Sequence, residues 1–454
     1  MEKKTKAGKQ YLYRLVYAMI CVGVICVVSL LDMRNVFDGA EHSSQDLRFR
    51  IRGVEDHSDK IEIVAIDPQT LDQLGLIGVP PRIYHVKLIE NLYKAGAKAV
   101  LFDILFLTYT GKQNPEDLTV TPSHQDSLLS EALFAYPNTV IARKQVVPMK
   151  QATATSVGEP PLPMPLFQYP GQLAFVDMYH DSDAFVRRAK LVSDDQPPET
   201  KWNYSFALKA AMYAMDVDTA WVDTKARLVH VGDRRLPIDE NGTIIINFCM
   251  DEKTYSDRQG YISYEQVLDD ESEYGLKALI ANGRLKNKVV LVGATFPESK
   301  DWEFTPFYLG TRIYSKSEYP MYGVHVHKNI ASTIISGRTI PPVTGRMTFA
   351  LIVLMAVLSM LVNYRFKGFS GLFLSIALIL GYLVAAVLFF IEKRYLIPLV
   401  APAFATVTMS YISAVTWNFL SERRQKAQIR GAFAHYVPGK VVSELLKNPD
   451  MLQL

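Results

Sequence analysis

Cysteine is scarce: three residues in 454, with Cys21 and Cys26 inside one apolar run and Cys249 alone in the long segment that follows. That segment therefore has no disulfide of its own and must be held by its core. Charge of either sign is not in excess. Forty-nine basic residues face 46 acidic ones, and the net +3 gathers at the flanks of apolar runs, so no basic surface for nucleic acid is indicated. Neither G-x-G-x-x-G nor G-x-x-x-x-G-K-[ST] occurs, so Gly293, at the end of Lys288–Ala294, does not open a nucleotide loop. No hydrolase-type nucleophile motif is present either. A disulfide scaffold, a nucleic-acid binder and the common nucleotide-loop enzymes are thereby excluded as readings of these residues.

What is present is long apolar sequence. Four runs, Tyr11–Leu31, Val343–Val362, Phe369–Ile391 and Leu396–Leu420, carry almost no charge. A bilayer core about 30 Å thick needs about 20 such residues per helix. Arg346, near the start of the second run, belongs at the interface. The first run follows Lys3, Lys4, Lys6, Lys9 and Arg14, as a signal peptide would, but its apolar part is long for one. Leu30-Leu31-Asp32-Met33-Arg34 is also a poor cleavage site, so an uncleaved anchor is expected. Those cations place the N-terminus in the cytoplasm. Four crossings return the C-terminus there, in agreement with Arg365, Lys367, Arg423, Arg424, Lys426 and Arg430; Lys393 and Arg394 disagree. The expected organisation is a basic N-terminus (1–10), a first span (11–31), an extracytoplasmic domain (32–342), three spans (343–362, 369–391, 396–420) and a juxtamembrane segment (421–454).

Residues 32–342 alternate strand and helix signals. Ile61–Asp67, Lys98–Phe106, Thr139–Val146, Leu173–Met178 and Lys288–Ala294 read as apolar strands; Arg82–Ala95, Gln125–Tyr136, Tyr204–Met215 and His325–Ser336 read as helices. The expected fold class is an α/β domain, a mixed and largely parallel sheet flanked by helices, beside an α-helical bundle of four membrane helices. Asp32–Lys60 reads as a polar connector with Phe37, Leu47, Phe49 and Ile51 as candidate docking points, and Lys150–Pro170, rich in Pro, Thr and Ser, as an exposed loop. Asp67 and Asp103 end strands, where open α/β sheets bind ligands; the simpler reading is that each caps the next turn or pairs with Arg82. Asp177, Asp181 and Asp183 with Arg187 and Arg188 form a charged turn, read as a salt-bridged turn over a hard-cation site. His325 and His327, two apart, do not share a helix face and are not read as a metal pair.

The segments IEIVAIDPQTLDQLG (61–75), Pro81-Arg82, LIENLYKAGAKAVLFDILF (88–106), FVDMYHDSDAFVRRAKLV (175–192), KNKVVLVGAT (286–295), Asp301 with Thr305-Pro306, and YGVHVHKNIASTIISGR (322–338) resemble the CHASE2 sensor family. Gly78-Val79-Pro80-Pro81 stands where members often carry Trp-Pro units, and Ala184-Phe185 where a Gly is usual. The resemblance implies an extracytoplasmic sensor of an unidentified signal, followed by three membrane helices in a bacterial inner membrane. The tail, RGAFAHYVPGKVVSELLKNPDMLQL (430–454), resembles the segment before the catalytic domain of class III adenylate cyclases. Phe433, Tyr436, Val437, Val441 and Val442 carry that pattern, Pro438-Gly439 interrupts it, and Glu444, Leu445 and Leu446 follow. This second resemblance implies a homodimer whose cyclase domain, outside these residues, turns ATP into cyclic AMP with two Mg or Mn ions. No catalytic, cofactor or metal residue is then expected within 1–454.

Other outputs fit less well. A histidine kinase would use His435, but Tyr436-Val437-Pro438 follow it and Pro438 breaks a helix. A serine/threonine kinase output or a membrane scaffold without enzymatic output also remains open. A transporter is disfavoured because the spans lack the paired buried charges of an ion path.

Overall fold

A computed structural model describes residues 2–110, 122–145, 162–193, 203–257, 260–308 and 320–433. The chain divides into two compact units, Gln45–Pro342 and a unit combining Met1–Ser44 with Val343–Leu454.

The first unit is built on one six-stranded sheet: β1 Ile61–Ile66, β2 Ala99–Phe102, β3 Thr139–Arg143, β4 Leu173–Phe175, β5 Ile262–Ser263 and β6 Val289–Ala294, in the order β5-β1-β6-β2-β3-β4. Every pairing in it is parallel. Antiparallel pairs are confined to small separate sheets, such as Ala220–Asp223, Leu228–Val231 and Arg234–Pro237. Parallel strands must be covered on both faces, which explains why β6 is apolar and buried along its whole length. On one face Val64, Ile66, Val100, Phe102, Ile141, Val290 and Val292 pack against Leu88, Ile89 and Leu92 of helix Arg82–Lys94 and Leu129 and Leu133 of helix His124–Ala135. The other face is covered by the paired helices Phe206–Met215 and Gly323–Ser336.

Gly293 belongs to this second contact. A Cβ there would lie 2.7 Å from Cβ of Val324 and 3.0 Å from its Cγ2, so the glycine lets the helix approach the sheet. Two expectations fail here. Asp32–Lys60 is not mere connector: Asp38–Arg52 is a helix in which Gln45, Asp46 and Arg48 are buried beside the candidate docking residue Phe49, while Leu47 and Ile51 are exposed. Within the expected exposed loop, Pro165–Phe167 forms a 3-10 turn that buries Phe167 against the core, with Met164, Leu166 and Tyr169 alongside.

In the other unit, Tyr11–Met33, Gly345–Arg365 and Phe369–Lys393 are long and apolar enough to cross a membrane, at 23, 21 and 25 residues. Among the described residues this makes three such helices rather than the expected four. The segment Leu396–Leu420 is not one regular helix. Val400–Ala405 is a π-helix, and the α-helix Thr406–Phe433 begins only after it. Pro402 supplies no amide hydrogen; the carbonyl of Pro398 four residues earlier accepts from the Tyr382 hydroxyl at 2.8 Å, and Thr406 Oγ1 donates to the carbonyl of Ala401 at 2.7 Å. Thr408, Ser410, Ser413, Thr416 and Asn418 then thin the apolar character. The amides of Leu399 and Val400 donate to one Glu41 carboxylate oxygen at 2.8 and 2.9 Å, an anionic cap on the entry to the π turn. Tyr17, Val24 and Val28 pack with Ile352, Met360, Ala401 and Ala414. The hydroxyls of Tyr13 and Tyr17 both donate to Oδ1 of Asn418.

The close approach at Gly293 yields a prediction. Gly293→Ala overpacks the Val324 contact and should lower stability by about 1–3 kcal/mol, read as a drop in thermal midpoint; Gly283→Ala, whose added Cβ meets nothing, gives the strain of a left-handed glycine for comparison.

Candidate functional site

A parallel sheet brings all its strand carboxyl ends to one edge, and polar residues collect there. Asp67 follows β1, Thr295 follows β6, Asp103 follows β2, Lys144 follows β3, and Asp177 lies two residues beyond β4. Each site residue named from sequence can be placed against this edge.

Asp67 is a helix cap. Its Oδ1 accepts from the Thr70 amide at 2.9 Å, from Thr70 Oγ1 at 2.7 Å and from Ser263 Oγ at 2.7 Å. Arg82 pairs with neither Asp67 nor Asp103. Its Nε lies 3.2 Å from Asp126 Oδ1, and its terminal amine donates to the Thr108 carbonyl at 2.5 Å. Asp126 also closes the capping box of its own helix with Ser123, and these hydrogen bonds hold its carboxyl below the usual range despite burial. Both are structural arrangements.

Arg187 is also structural, and more heavily engaged. Its guanidinium is 1 % exposed and meets three carboxylates: Asp46 through two bonds of 2.7 and 2.8 Å, Asp183 at 2.8 and 2.9 Å, and Asp181 at 3.0 Å. The cation held by the Asp181 and Asp183 turn is therefore this side chain. Asp46, from the helix that looked like connector, was not anticipated. Asp177 stands apart from the turn, accepting from the Gln145 amide at 2.6 Å with Lys144 Nζ at 3.7 Å.

Asp103 differs from all of these. Its Oδ2 is buried and, among the described residues, has no hydrogen-bond partner. The nearby ring is that of His327, Nε2 to Oδ2 3.8 Å. Burial first, then the charge of Asp301, pushes the Asp103 carboxyl well up, with Lys144 opposing. Burial and Glu303 push Asp301 up to about 6, with Lys144 and His325 opposing. Burial, aided by Lys144, pushes His327 down to about 3. Near neutrality the His327 imidazole is thus uncharged, and its contact with Asp103 is not an ion pair. Buried Thr295 Oγ1 and His327 Nδ1 are likewise unpartnered among the described residues. The arrangement can hold or exchange protons and can offer hydrogen bonds to a neutral polar guest. Strand pattern identified Asp103; Asp301 entered only through the family resemblance, and its burial is created by the approach of helix Gly323–Ser336.

The CHASE2 domain family model matches residues 20–362. The chain belongs to the CHASE2 domain family. The match begins inside the first membrane helix and ends inside the second, so it takes in the whole sensor-type α/β unit of this CHASE2 protein. No curated protein and no solved structure matches the chain. A CHASE2 unit attached to several apolar helices of spanning length is the organisation of a signalling receptor in a membrane.

Two predictions follow from the charges. Arg187→Met leaves Asp46, Asp181 and Asp183 without their shared cation and should cost about 3–5 kcal/mol, measured by denaturant unfolding. The raised carboxyl of Asp301 gives the opposite pH signature from an ordinary paired aspartate. Its contribution to stability is fully present below the unfolded value near 4 and is lost as pH rises through about 6. Asp301→Asn should therefore be more stable than the native chain at pH 8, with the difference closing towards pH 4, as read from thermal midpoints across that range.

Proposed function

We propose that this CHASE2 chain is the sensing and membrane part of a bacterial inner-membrane receptor whose output is a class III nucleotide cyclase. CHASE2 membership supports the receptor; the tail supports the cyclase. The observation that carries the output is the uninterrupted helix Thr406–Phe433 leading into the Phe433-x-x-Tyr436-Val437 pattern. The remaining transducer residues, Tyr436, Val437, Pro438, Val441 and Val442, lie outside the described residues.

In this reading Leu396–Leu420 is the fourth crossing despite its π turn, both termini are cytoplasmic, and the α/β unit lies in the periplasm. Two chains pair so that their cyclase domains, beyond residue 454, form active sites between them. There ATP would be cyclised with two Mg or Mn ions, which stabilise the attacking 3′-oxygen and the phosphoryl charge. The residues in hand supply geometry. Helix Thr406–Phe433 transmits displacement or rotation, and the sequence carries no proline between Ala403 and Val437.

The test is to express the complete gene product in bacteria lacking their own cyclase and measure cyclic AMP. Cyclic AMP should accumulate, and Pro438→Ala should alter its basal or regulated level. A product labelled with phosphate on His435 and making no cyclic nucleotide would support a histidine kinase instead. For topology, a fluorescent reporter fused after Phe433 should fluoresce and a periplasmic phosphatase fused there should be silent; an active phosphatase means three crossings.

A further inference from the structure

The sensor unit contains a cavity of about 310 Å³ that the strand-edge acids do not reach. Its walls come from the Asp56–Lys60 stretch, the segment around Asn247 and Cys249, and the second half of helix Gly323–Ser336 with Arg338. The volume suits a ligand of metabolite size.

Three observations define the chemistry. Ser332 lines the cavity at 5 % exposure, and its hydroxyl has no hydrogen-bond partner among the described residues. Lys328 lies one turn earlier on the same helix face and is 1 % exposed. Its ammonium sits over the Tyr255 ring, 5.7 Å from the centre, and no ion pair or hydrogen bond to it is found among the described residues. Glu62, whose charge favours the ammonium, is already engaged by Lys288 at 2.9 Å and Arg284 at 3.8 Å. Lys328 reaches two cavity-lining groups electrostatically, His57 and Cys249. The charges of the lining residues balance, Lys60 and Arg338 against Asp56 and Asp59; Lys328 does not itself line the cavity, and its ammonium, one helical turn from Ser332, finds no surplus of negative charge there. Ile335 adds an apolar wall beside Cys249, whose thiol burial pushes up to about 11 and keeps protonated.

We propose that this cavity binds a small organic monocarboxylate, whose oxygen accepts from Ser332, whose charge is favoured by the field of Lys328 one turn away, and whose hydrocarbon part lies along Ile335 and Cys249. A buried cation without a partner is costly, and a guest that neutralises it recovers that cost. Burial pushes the Lys328 amine down to about 8, so it remains largely charged at neutral pH. The idea deepens the sensor reading by giving the class of signal, and rests on that reading only for its purpose.

The test uses the full chain in lipid nanodiscs and straight-chain carboxylates from acetate to octanoate, with the matching alcohols and amines as controls. Unfolding temperature and titration calorimetry are read. Carboxylates should stabilise the protein with a chain-length optimum, while alcohols and amines do not. Lys328→Met should weaken binding by at least about tenfold. Ser336→Trp, at an exposed lining position that leaves the core intact, should block the cavity and abolish the response. No stabilisation by any carboxylate, equal stabilisation by alcohols, or an undiminished response in the Ser336→Trp protein overturns the proposal. Binding is measured without catalytic output, so a failed cyclase assay leaves it standing, and a failed titration leaves the cyclase reading standing.

Discussion

A parallel sheet has two unlike edges, and in the CHASE2 unit that asymmetry organises much of what is chemically interesting. Six strands run the same way, so their carboxyl ends meet on one side, and Asp67, Asp103, Lys144, Asp177 and Thr295 are all delivered there. Both faces must be covered, which puts helix Gly323–Ser336 against β6 and brings His327 towards Asp103. The contact depends on Gly293, because any side chain at that point of β6 would hold the helix away. Packing geometry and the charge state of the acids are thus consequences of one arrangement of strands.

The unit handles charge in two contrasting ways. Around Arg187 the carboxylates outnumber the cation, and the guanidinium is saturated by bidentate bonds that fix the charged turn to the buried Asp46. Around Asp103 and Lys328 the opposite holds: among the described residues Asp103 Oδ2 has no hydrogen-bond partner, and the Lys328 ammonium has the Tyr255 ring but no ion pair. The first arrangement suits rigidity. The second stores unfavourable electrostatics, which in folded proteins tends to mark places where a proton or ligand matters.

The regular core was legible in the sequence because strands buried on both faces are continuous apolar runs. Ile61–Ile66 and Val289–Ala294 could be read almost residue for residue, as could helix Arg82–Lys94 from its apolar spacing. The capping role of Asp67 was legible for the same local reason. Helix Asp38–Arg52 was not, because its buried face consists of Gln45, Asp46, Arg48 and Phe49, and polar residues give no hydrophobic period. The partner of Arg82 was missed since Asp126 is 44 positions away and pairs through the fold. Lys328 could not have been singled out: its burial comes from the sheet face it packs on, and a lysine among apolar residues ordinarily snorkels. The π turn at Val400–Ala405 followed from Pro402 only once Glu41 and Thr406 were seen to satisfy the neighbouring backbone.

That turn has a consequence for register. A π segment accommodates one residue more than an α-helix of the same rise, and each residue of an α-helix turns the chain by about 100°. The face that Thr406–Phe433 presents at its far end is therefore set by whether Val400–Ala405 holds the wide turn or the narrow one. A shift between them would rotate the downstream helix by roughly a third of a revolution with little change in length. The same six residues give such a helix a phase adjuster, by which insertion or deletion of a single amino acid re-aims its far end without altering the sensor unit.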